Sequence, residues 1–242
     1  AAGDASQDID QAVVIGSSAM GNGNATSGAD GTVAIGKLAL FALTSGDGNV
    51  AVGYETLDGI QGAHYNTAVG YQALTAQNTN GNIHNTGIGN KAGLAITSGI
   101  ENTAVGSLAL SALVSGNYNT AVGKDALSAV EGSASNNIGI GRSAGYNITT
   151  GGDNTVVGRS SSTGAADSTN ATVIGHSVVG LGSNTVTLGD ENVTAVYMAQ
   201  DSGAVVHAGG MFINDSVNGN MTTGVTINQG AADDEILALK SS

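Results

Sequence analysis

Four histidines, several carboxylates and a pair of tyrosines are the side chains in this sequence that could transfer protons, bind a metal ion or stack on a sugar. The histidines are His64, His84, His176 and His207, and no second ligand recurs beside them at the spacing of a metal or acid–base site. The sequence has no cysteine and therefore no thiolate metal site. We predict no catalytic residue, no metal and no cofactor, and we predict that the chain is not an enzyme.

Seven carboxylates in polar segments are candidates for a Ca²⁺ site completed by loop carbonyl oxygens. The Gly-Gly-x-Gly-x-Asp pattern of calcium-binding β-rolls does not occur, so solvated loop acids are the favoured interpretation. A glycosidase that pairs carboxylates of different subunits is a further alternative. The seven residues are Asp47, Asp153, Asp167, Asp190, Glu191, Asp233 and Asp234.

Tyr54 and Tyr71 occupy the same position in two consecutive repeats and are the candidate glycan contacts of the chain. Packing of the two rings against each other is the favoured alternative, because aromatic pairs stabilise stacked turns without any ligand. Either role requires the repeats to stack in register.

A repeat that occurs eleven times along the sequence would position the histidines, carboxylates and tyrosines. Each copy contains Val, Ile or Leu followed by a glycine, which we number as position 0. The sequence numbers of successive glycines differ by 20, 17, 17, 19, 17, 17, 18, 17, 17 and 14. The commonest interval, 17, is too short for an independent unit and predicts a solenoid of stacked turns. The glycines are Gly16, Gly36, Gly53, Gly70, Gly89, Gly106, Gly123, Gly141, Gly158, Gly175 and Gly189.

Position −1 of the repeat is predicted to form the core ladder of the solenoid. Position −2 is mostly Ala or Gly, so a short strand would carry branched side chains on one face and small ones on the other. The small face is predicted to let another backbone approach closely, as in an assembly around a symmetry axis. The predicted core ladder consists of Ile35, Val52, Val69, Ile88, Val105, Val122, Ile140 and Val157.

Position −4 is asparagine in seven copies, and stacked turns would align these residues into a corner ladder. Asparagine tolerates left-handed backbone, and its amide can bond neighbouring main chain. This structural role is favoured over a row of ligand-binding amides. The residues are Asn49, Asn66, Asn85, Asn102, Asn119, Asn137 and Asn154.

Short helical inserts are predicted after the repeat glycine. The segments combine good helix formers with apolar residues three positions apart, and a following glycine such as Gly116 suits a C-terminal cap. So short a repeat leaves room for one or two helical turns only. The predicted inserts are 38–43, 72–76, 108–113 and 125–130.

Composition and charge restrict the class of partner. The 242 residues include 39 Gly, two Phe and no Trp, a set of small side chains that suits a thin, closely stacked core. Six Lys and Arg against 19 Asp and Glu give a net charge of −13. This charge disfavours nucleic acid and anionic membrane surfaces as partners. No run of about 18 apolar residues occurs, so we predict no membrane insertion by this segment.

The repeat resembles the head repeats of trimeric autotransporter adhesins, which are left-handed parallel β-rolls built on an Asn-Ser-Val-Ala-Ile-Gly motif. The resemblance covers about residues 11–189 and is carried by NTAVGYQAL at 66–74, NVAVGYETL at 49–57 and GTVAIGKLAL at 31–40. The 17-residue form with Ala-Leu after the glycine looks more like repeats of phage tail-fibre proteins that end in an endosialidase-type chaperone domain. The autotransporter repeat is usually shorter, and an inserted helical turn would account for the difference.

We therefore expect an all-β-dominated solenoid, namely a parallel left-handed β-roll of about ten 17-residue turns with short helical inserts, assembled as a homotrimer. Residues 1–10 are expected to be a lead-in and residues 11–189 the repeat. Residues 190–242 are expected to form a β-rich neck or distal module that is truncated before a C-terminal segment. In this module we predict strands at 192–198 and 203–208 and a helix start at 232–240.

The resemblance implies an extracellular structural and attachment protein, a segment of a virion tail fibre or cell-surface appendage. Such a segment would extend and present a region that binds a cell-surface glycan or protein receptor. The head of a bacterial trimeric surface adhesin and a glycan-depolymerising tail spike are the alternatives. A reading frame that continues into a membrane-anchor barrel, rather than a chaperone domain, would favour the adhesin.

Overall fold

The repeats stack into a parallel β-solenoid. The computed structural model describes residues 11–21, 25, 27–194 and 196, and the solenoid lies within a compact unit that ends at Val196. Eleven strands, one from each repeat, form a single sheet in which each strand pairs in parallel with the strand of the next repeat. The predicted all-β solenoid of about ten turns, with the spacing of the sequence repeat, is confirmed.

Each strand of the main sheet is three residues long and ends directly before the repeat glycine. The main-sheet strands are β1 (Val13–Ile15), β2 (Val33–Ile35), β3 (Val50–Val52), β5 (Thr67–Val69), β7 (Thr86–Ile88), β8 (Thr103–Val105), β9 (Thr120–Val122), β10 (Ile138–Ile140), β11 (Thr155–Val157), β12 (Thr172–Ile174) and β13 (Val186–Leu188). A second, two-stranded parallel sheet pairs β4 (Ala63–His64) with β6 (Gly81–Asn82). Within the described ranges, the 3-10 turn Ser27–Ala29 is the only helical element.

The strand register aligns equal positions of the repeat. In the pairing of β8 with β9, Thr103 lies opposite Thr120, and Ala104 lies opposite Ala121. The same alignment holds along the sheet, so each repeat position becomes a column of side chains with a step of about 4.8 Å.

The glycine at position 0 allows this close stacking. Gly53 has φ of 140°, and a Cβ built on it would lie 2.0 Å from the carbonyl oxygen of Gly70 in the next turn. Any other side chain at this corner would collide with backbone, so the recurrence of glycine follows from the stacking of main chain on main chain.

The core lies inside the turns and is made of small and medium-sized side chains. Position −2 points inward, and Ala104 and Ala121 are fully buried there. Leucines at position +4, such as Leu110 and Leu127, fill the space behind them. Leu127 also fills the gap beside Gly139, where an added Cβ would lie 2.6 Å from its Cγ.

The predicted helical inserts are wrong. The segments 38–43, 72–76, 108–113 and 125–130 are successive turns. Residues at positions +2 and +4 have left-handed backbone, as at Leu108 with φ of 60° and Leu110 with φ of 50°. Their N–H groups donate to other turns, from Leu108 to the Asn90 carbonyl at 3.0 Å and from Leu110 to the Ala126 carbonyl at 3.1 Å. These inter-turn bonds replace the local helical bonds that the residue types favour.

Several predictions fall wholly or partly outside the described residues. The lead-in at 1–10, the strand at 203–208 and the helix start at 232–240 lie outside them. Of the strand predicted at 192–198, the described residues 192–194 and 196 are not in a strand.

Candidate functional site

The outer face of the main sheet is an uncovered strip of mostly β-branched side chains. Positions −3 and −1 of each strand point away from the solenoid core, and together they contain only Val, Ile, Leu and Thr. The exposed fraction is 40% at Ile88, 42% at Ile140 and 68% at Val186. We call these two columns the outer strip, and it runs along all eleven strands for roughly 50 Å.

The predicted core ladder belongs to this outer strip, so its assignment to the core of the chain is wrong. All eight residues are half-buried or exposed, whereas the Ala and Gly of position −2 are buried in the interior. The reason is volume, because leucines at position +4 fill much of the interior beside position −2, as Leu127 does beside Gly139. Where position +4 is instead Gly145 or Ser162, the next turn has a buried valine at position −2, namely Val156 or Val173. The residues are Ile35, Val52, Val69, Ile88, Val105, Val122, Ile140 and Val157.

The seven asparagines of position −4 form a continuous buried ladder. Each is at most 1% exposed, and each carboxamide oxygen accepts from the next turn. Asn119, for example, donates from its backbone N at 3.0 Å and from Nδ2 at 3.1 Å to Oδ1 of Asn102. The Nδ2 of Asn102 donates in turn to the Gly116 carbonyl at 2.9 Å. Because the carboxamide oxygens and nitrogens already have hydrogen-bond partners within the chain, few of them could bind a ligand. The asparagine ladder is therefore structural.

Left-handed backbone occurs one residue before the asparagine rather than at it. Position −5 has φ near 60° in successive turns, as at Tyr65 with 61°, Tyr118 with 60° and Asp153 with 60°. The asparagine itself does not have positive φ in any of the seven copies. Its recurrence in the repeat therefore reflects the carboxamide ladder and not the backbone tolerance that we expected.

Tyr54 and Tyr71 stack on each other. Their ring centroids are 5.2 Å apart with an interplanar angle of 8°. The other face of Tyr54 carries the Nζ of Lys37 at 5.6 Å from the ring centroid. A hydrogen bond to Glu55 raises the pKa of Tyr54. Both faces of Tyr54 are occupied, so the geometry favours packing between turns over sugar stacking.

His64 and His84 both lie against the ring of Tyr65, and His176 lies apart from them. His64 contacts the carboxylate of Asp47. His84 stacks on Tyr65 with centroids 5.1 Å apart, and His176 accepts from the guanidinium of Arg159. Over the described ranges, no group of three or more His, Asp or Glu residues could hold a metal ion. His207, Asp233 and Asp234 lie outside the described residues.

A serine–histidine contact occurs in the last turns but lacks an orienting carboxylate. The Oγ of Ser177 lies 3.1 Å from Nε2 of the neighbouring His176. Asp190, one turn further, instead accepts from the backbone N and the Nδ2 of Asn192, both at 3.0 Å. These bonds lower the pKa of Asp190. A nucleophile needs a base that is held in place by a third group, and no described carboxylate bonds to His176.

The carboxyl pair Asp190 and Glu191 lines an open depression of about 520 Å³, together with Ser177 and Leu181. A glycosidase of the usual type needs one carboxyl group with a raised pKa to act as general acid. The pKa of Asp190 is lowered, which suits an ionised carboxylate and not the general acid of such a pair.

The exposure of the outer strip differs from the prediction that position −1 lies in the core. The signal was present in the alternation of small and branched residues, but a three-residue strand shows two faces without marking which one points inward. The assignment depends on how the remaining residues close each turn.

These features define the chain as a parallel β-solenoid with an uncovered, uncharged sheet face and an internal asparagine ladder. Comparison with protein-family models, curated proteins and solved structures finds no significant match. No helix in the described part of the chain is long and apolar enough to cross a membrane.

Proposed function

We propose that this chain is a non-enzymatic segment of a homotrimeric attachment fibre, in which the outer strips of three copies meet around a common axis. The observation that carries the proposal is the outer strip itself. In this arrangement the solenoid is a shaft, and recognition of a cell-surface receptor belongs to side chains that remain at the surface of the assembly.

The parallel sheet has only one covered face. Parallel sheets occur almost exclusively with both faces covered, and here the inner face packs on the solenoid core while the outer face carries residues such as Ile138 and Ile174, 37% and 43% exposed. The strip is roughly 50 Å long and about 10 Å wide, or about 500 Å², near the upper end of apolar patches on monomers. A partner that covers it would bury a row of branched side chains with no charge to desolvate.

A second copy of the chain fits this strip better than an unrelated partner. Every copy presents the same two columns with the same step of about 4.8 Å, so copies that run in the same direction can match along the whole strip. A threefold axis parallel to the solenoid gives all subunits this common direction and brings three strips together. The resemblance of the repeat to trimeric adhesin and tail-fibre repeats supports the same arrangement.

The proposal is tested by the mass of the chain in solution. We expect sedimentation velocity to give three times the chain mass of 23.5 kDa. The double variant Val105→Asp and Val122→Asp places charges on two adjacent turns of the strip, and we expect it to be monomeric with an intact β-sheet circular dichroism spectrum. A matched control is Ser133→Asp with Thr150→Asp, which adds the same charge at exposed positions of two adjacent return loops.

The control variant should remain trimeric. A wild-type chain that is folded and monomeric at micromolar concentration would overturn the assembly. So would a double variant on the strip that keeps the trimeric mass. Release of reducing sugars from polysaccharide by the wild-type chain would overturn the non-enzymatic assignment and favour the tail-spike alternative.

A further inference from the structure

The positive charges of this acidic chain are concentrated in one column. Four of the five described Lys and Arg residues occupy position +1, directly after the repeat glycine, and Lys91 is at position +2. In four successive turns, position +1 is a lysine, an arginine or a histidine. We call these residues the basic row: Lys124, Arg142, Arg159 and His176, all four exposed.

The main chain holds the row in register. The carbonyl of each of its first three residues accepts from the N–H at position +2 of the next turn. The backbone N–H of Ser143 donates to the Lys124 carbonyl at 2.8 Å. In the next two turns, Ser160 donates to Arg142 at 2.9 Å and Ser177 donates to Arg159 at 2.8 Å. These bonds continue the ladder of the strands, so the row has the same step of about 4.8 Å. A serine follows each of the last three residues of the row in the sequence, and the Oγ of Ser177 lies 3.1 Å from Nε2 of His176.

Few negative charges accompany the row. Asp125 pairs with Lys124 at one end, and Asp190 occupies position +1 beyond His176 at the other. In the described part of the chain, no carboxylate lies within 4.0 Å of the guanidinium of Arg142 or Arg159. Stacked like charges repel one another, so the row costs free energy in the absence of a bound anion. The chain has a net charge of −13, yet its carboxylates do not pair with these two arginines.

We propose that the basic row binds a linear acidic polysaccharide that lies along the solenoid axis, with carboxylate or sulfate groups facing successive turns. Arginine suits these anions because its planar guanidinium can donate two parallel hydrogen bonds. The step of the row is comparable to the length of one sugar ring. An extended acidic peptide fits less well, because its side chains on one face recur about every 6.6 Å.

The row is complete in one chain, and it rests on the proposed function only in that it would supply the receptor contact of the attachment fibre. The test measures binding of the full chain to immobilised polygalacturonate, heparin, neutral dextran and polyphosphate at low and moderate salt. The variant is Arg142→Ser with Arg159→Ser. The control is Lys37→Ser with Lys91→Ser, which removes the same charge outside the row. All four side chains are at the surface or half-buried, so both variants should fold.

We expect the wild type to bind polygalacturonate, heparin or both, more weakly as salt rises, and not to bind dextran. The preferred polysaccharide identifies the anion as carboxylate or sulfate. Loss of both arginines should weaken binding at least about tenfold and reduce its salt dependence, since each contact releases counterions. The control should remain within about twofold.

Three results would overturn the basic row as a polysaccharide site: no binding to either acidic polysaccharide, equal losses in variant and control, or tighter binding to polyphosphate than to both. The oligomeric mass is measured on the same samples. A trimer that binds neither acidic polysaccharide refutes the row alone, and a monomer that binds one of them refutes the assembly alone.

Discussion

Replacement of Asn102 by alanine should interrupt the buried asparagine ladder at its centre. Asn102 is 1% exposed. Its Oδ1 accepts from the backbone N of Asn119 at 3.0 Å, and its Nδ2 donates to the Gly116 carbonyl at 2.9 Å. Alanine leaves this N–H and this carbonyl, both in buried residues, without their partners. At about 1–3 kcal/mol for each unsatisfied group, the free energy of unfolding should fall by about 2–6 kcal/mol.

The assay is equilibrium unfolding in guanidinium chloride, followed by circular dichroism. The matched control is Asn90→Ala, which makes the same chemical change at an exposed position of the preceding turn. We expect this control to alter stability by no more than about 0.5 kcal/mol. The denaturant slope should be unchanged in both variants, because the surface exposed on unfolding is almost the same.

A loss below about 1 kcal/mol for Asn102→Ala, at unchanged slope, would contradict a stabilising role for the asparagine ladder. It would mean that water enters the corner and replaces the carboxamide, so that the ladder contributes order but little stability. The variant Asn102→Asp retains an acceptor for Asn119 and loses the donor to Gly116. Because it also buries a carboxylate, we expect it to destabilise the chain more than Asn102→Ala at neutral pH.

Three further predictions follow from the packing, the charges and the stacking. Gly139→Ala should destabilise the chain by about 1–3 kcal/mol in thermal melts, since the new Cβ would lie 2.6 Å from Cγ of Leu127; unchanged melting would show that the core yields. Burial raises the pKa of Asp58, and the charge of Glu55 adds to this, so the folded chain binds this proton more tightly and gains stability as pH falls through that pKa. Asp58→Asn should therefore raise stability at pH 7 and lose this advantage near pH 4 in parallel melts. Amide hydrogen exchange should be slowest in β8 and β9 and fastest at β1 and β13, because each turn is stabilised only by its neighbours; uniform protection would contradict this.

The periodicity of the sequence was sufficient to predict the stacking. Glycine recurs at a nearly constant interval, and the stacked corner excludes any side chain there, as at Gly53. Regular recurrence of a residue that the local backbone requires is visible in a single sequence, and so is the alignment of the asparagines that follows from it. Tyr54 and Tyr71 were placed as stacked neighbours by the same counting.

The helical inserts show where local propensity failed. Leu108 and Leu110 belong to a residue type that favours helix, but both have left-handed backbone in the structure. Their N–H groups bond to carbonyls one turn away, and a helical hydrogen bond would have required a partner within the same segment. Contacts between turns join residues that lie a whole repeat apart, so intrinsic helix propensities do not include them.

The period, the strand positions and the columns can all be read from the repeat, because stacking translates each repeat position onto its equivalent. Which column faces the interior depends on the folded turn. Each three-residue strand presents positions −3 and −1 on one face and position −2 on the other, and the inner face is the one that the rest of the turn encloses. Because the leucines of position +4 fill most of that interior, position −2 is mostly alanine or glycine, and the valines and isoleucines of position −1 belong to the outer strip. The columns that form the proposed assembly surface are therefore visible in the sequence, but whether they face the core or the outside is not.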